Sequence, residues 1–214
     1  MQSELSYWKN LAWDHVAELP VDHADGDNTE AYNQLHTLQL NAADTSGILK
    51  GLANRYRAAP RDVLLTAVAT ALAQHTNSQS VLIDLEGHGR EDLFDDVDLT
   101  RTVGWFTTLY PVLLKLPAVQ SAANTLPAVR DQLAALPNNG IGYGVLRYLS
   151  ADSGLAEQTR HADVSFNYLG NIDRVAGSNS MFTMLNEAHG LEPVSYTHLR
   201  AHETDSYLVC RLLL

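Results

Sequence analysis

Glu86 closes the apolar run Val81–Leu85 (VLIDL) and opens a loop, Glu86–Glu91 (EGHGRE), hinged on Gly87 and Gly89. A carboxylate at the mouth of a buried strand has the dry setting that a proton-transfer group needs. Such a position is a candidate catalytic site. The alternative is a structural carboxylate that bonds loop amides, Arg90 or Arg101. Arg90 itself would order the loop through a carboxylate, or meet a substrate directly. Other chemistries find less support. His88 has no second His or Cys at ligand spacing, so a metal role is not expected. Asp92, Asp95, Asp96 and Asp98 lack the central glycine and terminal glutamate of a calcium loop. Gly87-His88-Gly89-Arg90 is not followed by the Gly-Lys-Ser/Thr of a phosphate loop. There is no Gly-x-Ser-x-Gly, and the single cysteine, Cys210, lies in the tail.

The elements that must position Glu86 can be read from periodicity. Leu5–Trp13 reads as a short amphipathic helix, followed by a polar connection. Leu35–Leu40 alternates and reads as a strand. Over Thr45–Arg57, Ile48, Leu49, Leu52 and Tyr56 share a helical face, with Thr45 or Ser46 as the cap. Pro60 suits a first helical turn and Asp62 suits the positive end of the dipole. That helix runs on through Leu64, Val68, Ala71, Leu72 and His75. Val81–Leu85 reads as a strand buried on both faces. Val103–Leu116 reads as a second long strand, with Pro111 marking an edge or a bulge. Leu126–Leu136 is a helix stopped by Pro137 and an Asn-Asn-Gly turn. Val145–Leu149 is a short helix, and Ala162–Tyr168 and Ser180–Leu185 are strands. Loose alternation of helices and strands predicts an α/β fold with a mixed sheet. Trp105 and Phe106 are expected in the core or at an interface between lobes.

The 214 residues, 45% of them hydrophobic, suffice for one globular unit with its own core. A net charge of −11, with no Lys/Arg run, argues against nucleic-acid binding. No apolar stretch is long enough to span a bilayer, so no membrane is expected and the cytoplasm is the default. One cysteine excludes a disulfide framework.

Four segments in order, EGHGREDLFDDVDLTRTVGWFT (Glu86–Thr107), PNNGIGYG (Pro137–Gly144), SFNYLGNID (Ser165–Asp173) and an early YWKNL with LPVD, carry a family likeness. Together with DVLLTAVATALA (Asp62–Ala73), they resemble the epimerization domains of nonribosomal peptide synthetases, within the condensation-domain superfamily. The likeness runs from about Ser3 to about Glu192. It implies a chloramphenicol-acetyltransferase-like fold of two similar lobes around a tunnel. The implied substrate is an aminoacyl or peptidyl thioester on the 4'-phosphopantetheine arm of a partner carrier protein, with no cofactor bound directly. The implied reaction inverts L to D at Cα by acid/base proton transfer. Glu86 is then one acid/base group. Asn167 and Tyr168 place an amide and a hydroxyl near the thioester, or else cap strand-end backbone. His88 helps shape the tunnel floor, and Arg90 and Tyr143 join it as substrate-binding candidates. Tyr143, between glycines, could equally be a packing residue. Arg55, Arg57 and Arg61 could meet an acidic carrier protein, or form a solvated helix junction.

One departure is large. The family's first lobe carries two adjacent histidines before Asp-Gly, and His23-Ala24-Asp25-Gly26 lacks the adjacent histidine. The chain is therefore read as a second lobe alone. Residues 1–34 are a linker helix and connection from a missing N-terminal lobe, and 35–192 form the C-terminal lobe. Residues 193–214 are read as translated sequencing adapter, because VSYTHLRAHET and LVCRLLL back-translate into the mosaic and flow-cell ends of a transposase library. The parent domain is expected to be an enzyme and this chain alone inactive. A condensation or dual condensation/epimerization domain is the alternative within the superfamily. A non-catalytic lobe that binds the carrier protein is the alternative outside catalysis.

Overall fold

The computed structural model describes residues 2–23, 36–150, 154–158, 160 and 162–170, together with the backbone of 208–212. Helix α1 (Leu5–Lys9) buries Trp8 completely. The chain then turns through Trp13, whose indole N–H donates to the Trp8 carbonyl at 3.0 Å. The helix expected through Trp13 thus stops early, because this indole bond and a 3-10 turn at Trp13–His15 take over.

Helix α2 (Ala42–Ser46) runs through a π-helical turn, Gly47–Leu52, into α3 (Ala53–Tyr56). Its cap is Asn41, not Thr45 or Ser46: the Asn41 side chain accepts the Asp44 N–H at 2.9 Å. Ile48, Leu52 and Tyr56 of the expected face pack against Ala53, Ala58, Val63 and Leu126, and Leu49 does not join them. Helix α4 (Pro60–Thr76) starts on its proline, and the Asp62 carboxylate accepts the Ala59 N–H at 3.1 Å. Its buried residues include Leu65, Ala69 and Ala73, while Ala71 and His75 face solvent. Of the expected stripe, Leu64 is in the main core and Val68 and Leu72 pack against it, so only Ala71 and His75 depart from it.

Strand β1 (Ser80–Gly87) pairs antiparallel with β2 (Thr108–Lys115) in an unbroken register from Ser80↔Lys115 to Gly87↔Thr108. Helix α5 (Ala122–Ala134) follows, and its Gln132 brackets the end of β2 by accepting the Lys115 N–H and donating to the Lys115 carbonyl. After the PNNG turn come α6 (Gly142–Gly144), the π turn Val145–Leu149, and α7 (Leu155–Gln158). Strand β3 (Val164–Tyr168) joins β1 in parallel, and β4 (Leu208–Leu212), within the 193–214 segment, joins β3 in parallel. The sheet order β2-β1-β3-β4 makes β2 an edge. Pro111, without an N–H, is tolerated there, and the register holds no bulge. The mixed sheet with helices is the expected α/β architecture.

Strand alternation separates two faces. Val81, Ile83 and Leu85 of β1, Tyr110, Val112 and Leu114 of β2, and Val164 and Phe166 of β3 form the main core with Leu65, Ala69, Val129 and Leu133. Leu82 and Leu113, on the other face, pack with Trp13 and Ala162. Burial pushes the Tyr110 phenol above its usual value, opposed by Arg61 and reinforced by Glu91 and Asp62. The folded chain therefore holds that proton more tightly than the unfolded chain. The resulting stability is present below pH 10.0 and lost as pH rises through the folded value. Tyr110→Phe is expected to flatten the alkaline limb of a urea-midpoint-against-pH profile.

Two of the expected strands differ. Residues 36–40 form no strand, and Leu38 is 85% exposed: among the described residues no strand pairs with it, and alternation alone forms none. The strand expected from Val103 begins only at Thr108, since Gly104 takes a φ of +150 that breaks the extended run. Val103 and Trp105 are consequently 99% and 97% exposed, and Trp105 lies outside the core. The expected strand Ser180–Leu185 falls outside the described residues.

Candidate active site

The end of β1 and the end of β3 lie side by side because Leu85 pairs with Phe166 in parallel register. The next residues, Glu86 and Asn167, share the face opposite the main core. Asn167 Nδ2 donates to Glu86 Oε2 at 2.5 Å, a contact between two half-buried side chains. Behind them on the same face lie Asp84 and Ser165, both buried and paired across the strands. Glu86 and Asn167 are 81 residues apart in sequence, and the parallel pairing closes that distance.

Tyr168 is not brought to this pair. Alternation puts it on the other face, where it is half-buried against the main core. Tyr143 is also in the core, 4% exposed, with its ring 4.9 Å from that of Trp8. Its hydroxyl accepts from Arg147 Nη1 at 2.9 Å. His88 is exposed: its Nδ1 accepts the Arg90 N–H at 2.9 Å, and its Nε2 lies 3.5 Å from Glu91 Oε1.

Arg90 orders the loop, but through backbone carbonyls and not the carboxylate expected. Its Nη1 donates to the Leu99 carbonyl at 2.7 Å, and its Nη2 donates to those of Thr102 and Gly104 at 2.9 Å each. The guanidinium also lies 4.5 Å from the Phe106 ring centroid. Gly89 closes the knot. It has a φ of +65, and a Cβ there would lie 1.6 Å from the Phe106 carbonyl oxygen. Gly89→Ala must therefore push residues 89 and 106 apart and disturb the Arg90 bonds. The expected cost is about 2 to 4 kcal/mol, read from urea unfolding with the loop's amide exchange raised. Periodicity carried no sign of this knot, since its acceptors are backbone oxygens and any residue supplies one.

Of the basic group, Arg61 is engaged by Asp62, with Nη2 to Oδ1 at 3.0 Å, and Arg55 lies over the Tyr56 ring at 5.7 Å. Arg57 ends α3 in a left-handed conformation on the surface. Among the described residues no helix is long and apolar enough to cross a membrane.

The condensation-domain family profile matches residues 1–207. The chain belongs to the condensation-domain family. A linear gramicidin synthase of Brevibacillus parabrevis is 42% identical over 210 residues, covering 96% of this chain and 3% of that protein. Bacitracin synthase 3 of Bacillus licheniformis is 35% identical over 173 residues, covering 81% and 3%. Among solved structures, the epimerization domain from the third module of tyrocidine synthetase B matches with a TM-score of 0.71 and 34% identity. That match covers 79% of this chain and 39% of the solved one. The first condensation domain of the CDA synthetase matches with a TM-score of 0.54 at 18% identity, which speaks for the fold alone. This condensation-domain chain thus spans a few per cent of its synthetase relatives and about two fifths of the solved epimerization domain.

Proposed function

We propose that this chain is the C-terminal part of an epimerization domain, in which Glu86 takes or returns the Cα proton of a carrier-bound aminoacyl or peptidyl thioester. The observation that carries the reading is the Asn167–Glu86 contact at the ends of two parallel strands. The 34% identity to a solved epimerization domain supports it.

The chemistry follows from the groups. The Cα–H bond breaks and its proton passes to a Glu86 oxygen. The electron pair delocalises into the thioester carbonyl as an enolate, and an acid on the opposite face returns a proton to Cα. Asn167 carries two N–H donors. One holds Glu86 in place, and the other suits the developing enolate oxygen. The amide cannot itself titrate, so it orients Glu86 without competing for the proton. Tyr168 would act from the core side, by fixing the strand end that carries Asn167. The 4'-phosphopantetheine arm is part of the substrate, brought by the carrier protein.

The opposing acid would come from an N-terminal lobe outside this chain. The complete domain, supplied with an L-aminoacyl carrier protein, is expected to give D-aminoacyl product on chiral chromatography after thioester cleavage. The 214-residue chain alone is expected to give none. D-product from this chain alone contradicts the need for a second lobe, and its absence from the complete domain contradicts the reaction.

A further inference from the structure

The PNNG turn has no part in the reaction just described, yet its backbone is unusual. Asn138, Asn139 and Gly140 are three consecutive left-handed residues, with φ of 46, 50 and 82. Asparagine tolerates that region better than most residues with a side chain. The turn sends neighbouring amides in two directions. Asn138 Nδ2 donates at 2.8 Å to Oε1 of Glu4, a buried carboxylate preceding α1. Asn139 Nδ2 donates at 3.0 Å to Glu91 Oε2. The other Glu91 oxygen faces His88 Nε2, and His88 Nδ1 receives the Arg90 N–H. A short chain of contacts thus leads from the turn to the segment two residues beyond Glu86. Glu91 also heads an acidic stretch with Asp92, Asp95, Asp96 and Asp98.

We propose that Asn139 is a positioning residue. Through Glu91 it fixes the orientation of residues 88–91, and so holds the end of β1 where Glu86 meets Asn167. Asn138 ties the same turn to the N-terminal helix through Glu4. The proposal rests on the proton-transfer role assigned to Glu86.

Backbone and side-chain contributions can be separated. Asn139→Gly keeps the left-handed backbone and removes only the amide. Glu91→Gln keeps a carbonyl oxygen that can accept from Asn139. Two readouts decide. In the 214-residue chain Trp8 and Trp13 are buried and Trp105 is exposed, so iodide-quenchable emission reports Trp105 on the Arg90 loop. Asn139→Gly is expected to lower the anisotropy of that emission, and Glu91→Gln to leave it near wild type. In the complete domain, Asn139→Gly is expected to lower kcat about tenfold with KM unchanged, while Glu91→Gln retains most of the activity. An unchanged Trp105 signal, or a kcat that stays at the wild-type value while only the melting temperature falls, overturns the proposal. Equal losses in both variants overturn it too, because they implicate the Glu91 charge and not the hydrogen bond. If the wild-type domain makes no D-product, the assigned reaction fails, and the Trp105 signal alone decides whether Asn139 holds the loop.

Discussion

Glu86→Gln in the complete domain lowers the rate of D-product formation by about 10² to 10⁴, the range that one general acid/base group contributes. The glutamine is nearly isosteric and keeps a carbonyl oxygen for the Asn167 N–H, so the strand ends should stay together. What is lost is the capacity to bind and release a proton. The carrier-bound substrate should therefore still bind, with KM little changed and kcat falling. Steady-state chirality assays at several substrate concentrations check this. Wild-type kcat in the variant removes Glu86 from the chemistry and returns it to the role of a loop carboxylate.

Phe166→Ala is the largest stability effect expected. Phe166 is fully buried on β3, between β1 and β4, in the main core. Removing a ring from such a position costs about 3 to 5 kcal/mol, from lost transfer energy and the cavity left behind. The substitution also loosens the strand whose next residue is Asn167. Urea unfolding followed by circular dichroism should show the midpoint fall without a large change in slope. A change below about 1 kcal/mol would mean that the core collapses around the gap and that β3 is not firmly held.

How far the sequence led differs by element. The apolar run VLIDL marked β1, and the Pro60 start and Asp62 cap of α4 were visible as residue types at set positions. The apolar face of Ile48, Leu52 and Tyr56 also followed from helical spacing. Leu35–Leu40 misled because alternation states what a strand needs, not whether a partner strand lies beside it. Val103–Leu116 misled in its first half because Gly104 has a positive φ and a carbonyl bound by Arg90, which override apolar content. At the site, Glu86 and Asn167 were singled out separately, and their contact depended on the parallel register of β1 and β3, which periodicity does not encode. Tyr168 was grouped with Asn167 by adjacency, whereas strand alternation sends neighbours to opposite faces. The Asn139–Glu91 contact left no trace in the sequence beyond the Asn-Asn-Gly turn signal itself.

In the proposed reaction Glu86 and Asn167 act together on the Cα proton. The most direct measurement is deuterium incorporation at Cα from heavy water in the complete domain, as a double-mutant cycle of Glu86→Gln and Asn167→Ala. Each single variant is expected to lose most of the incorporation, and the double variant to lose clearly less than the product of the two single losses. Incorporation at the wild-type rate in Glu86→Gln, or two losses that simply multiply, would contradict it.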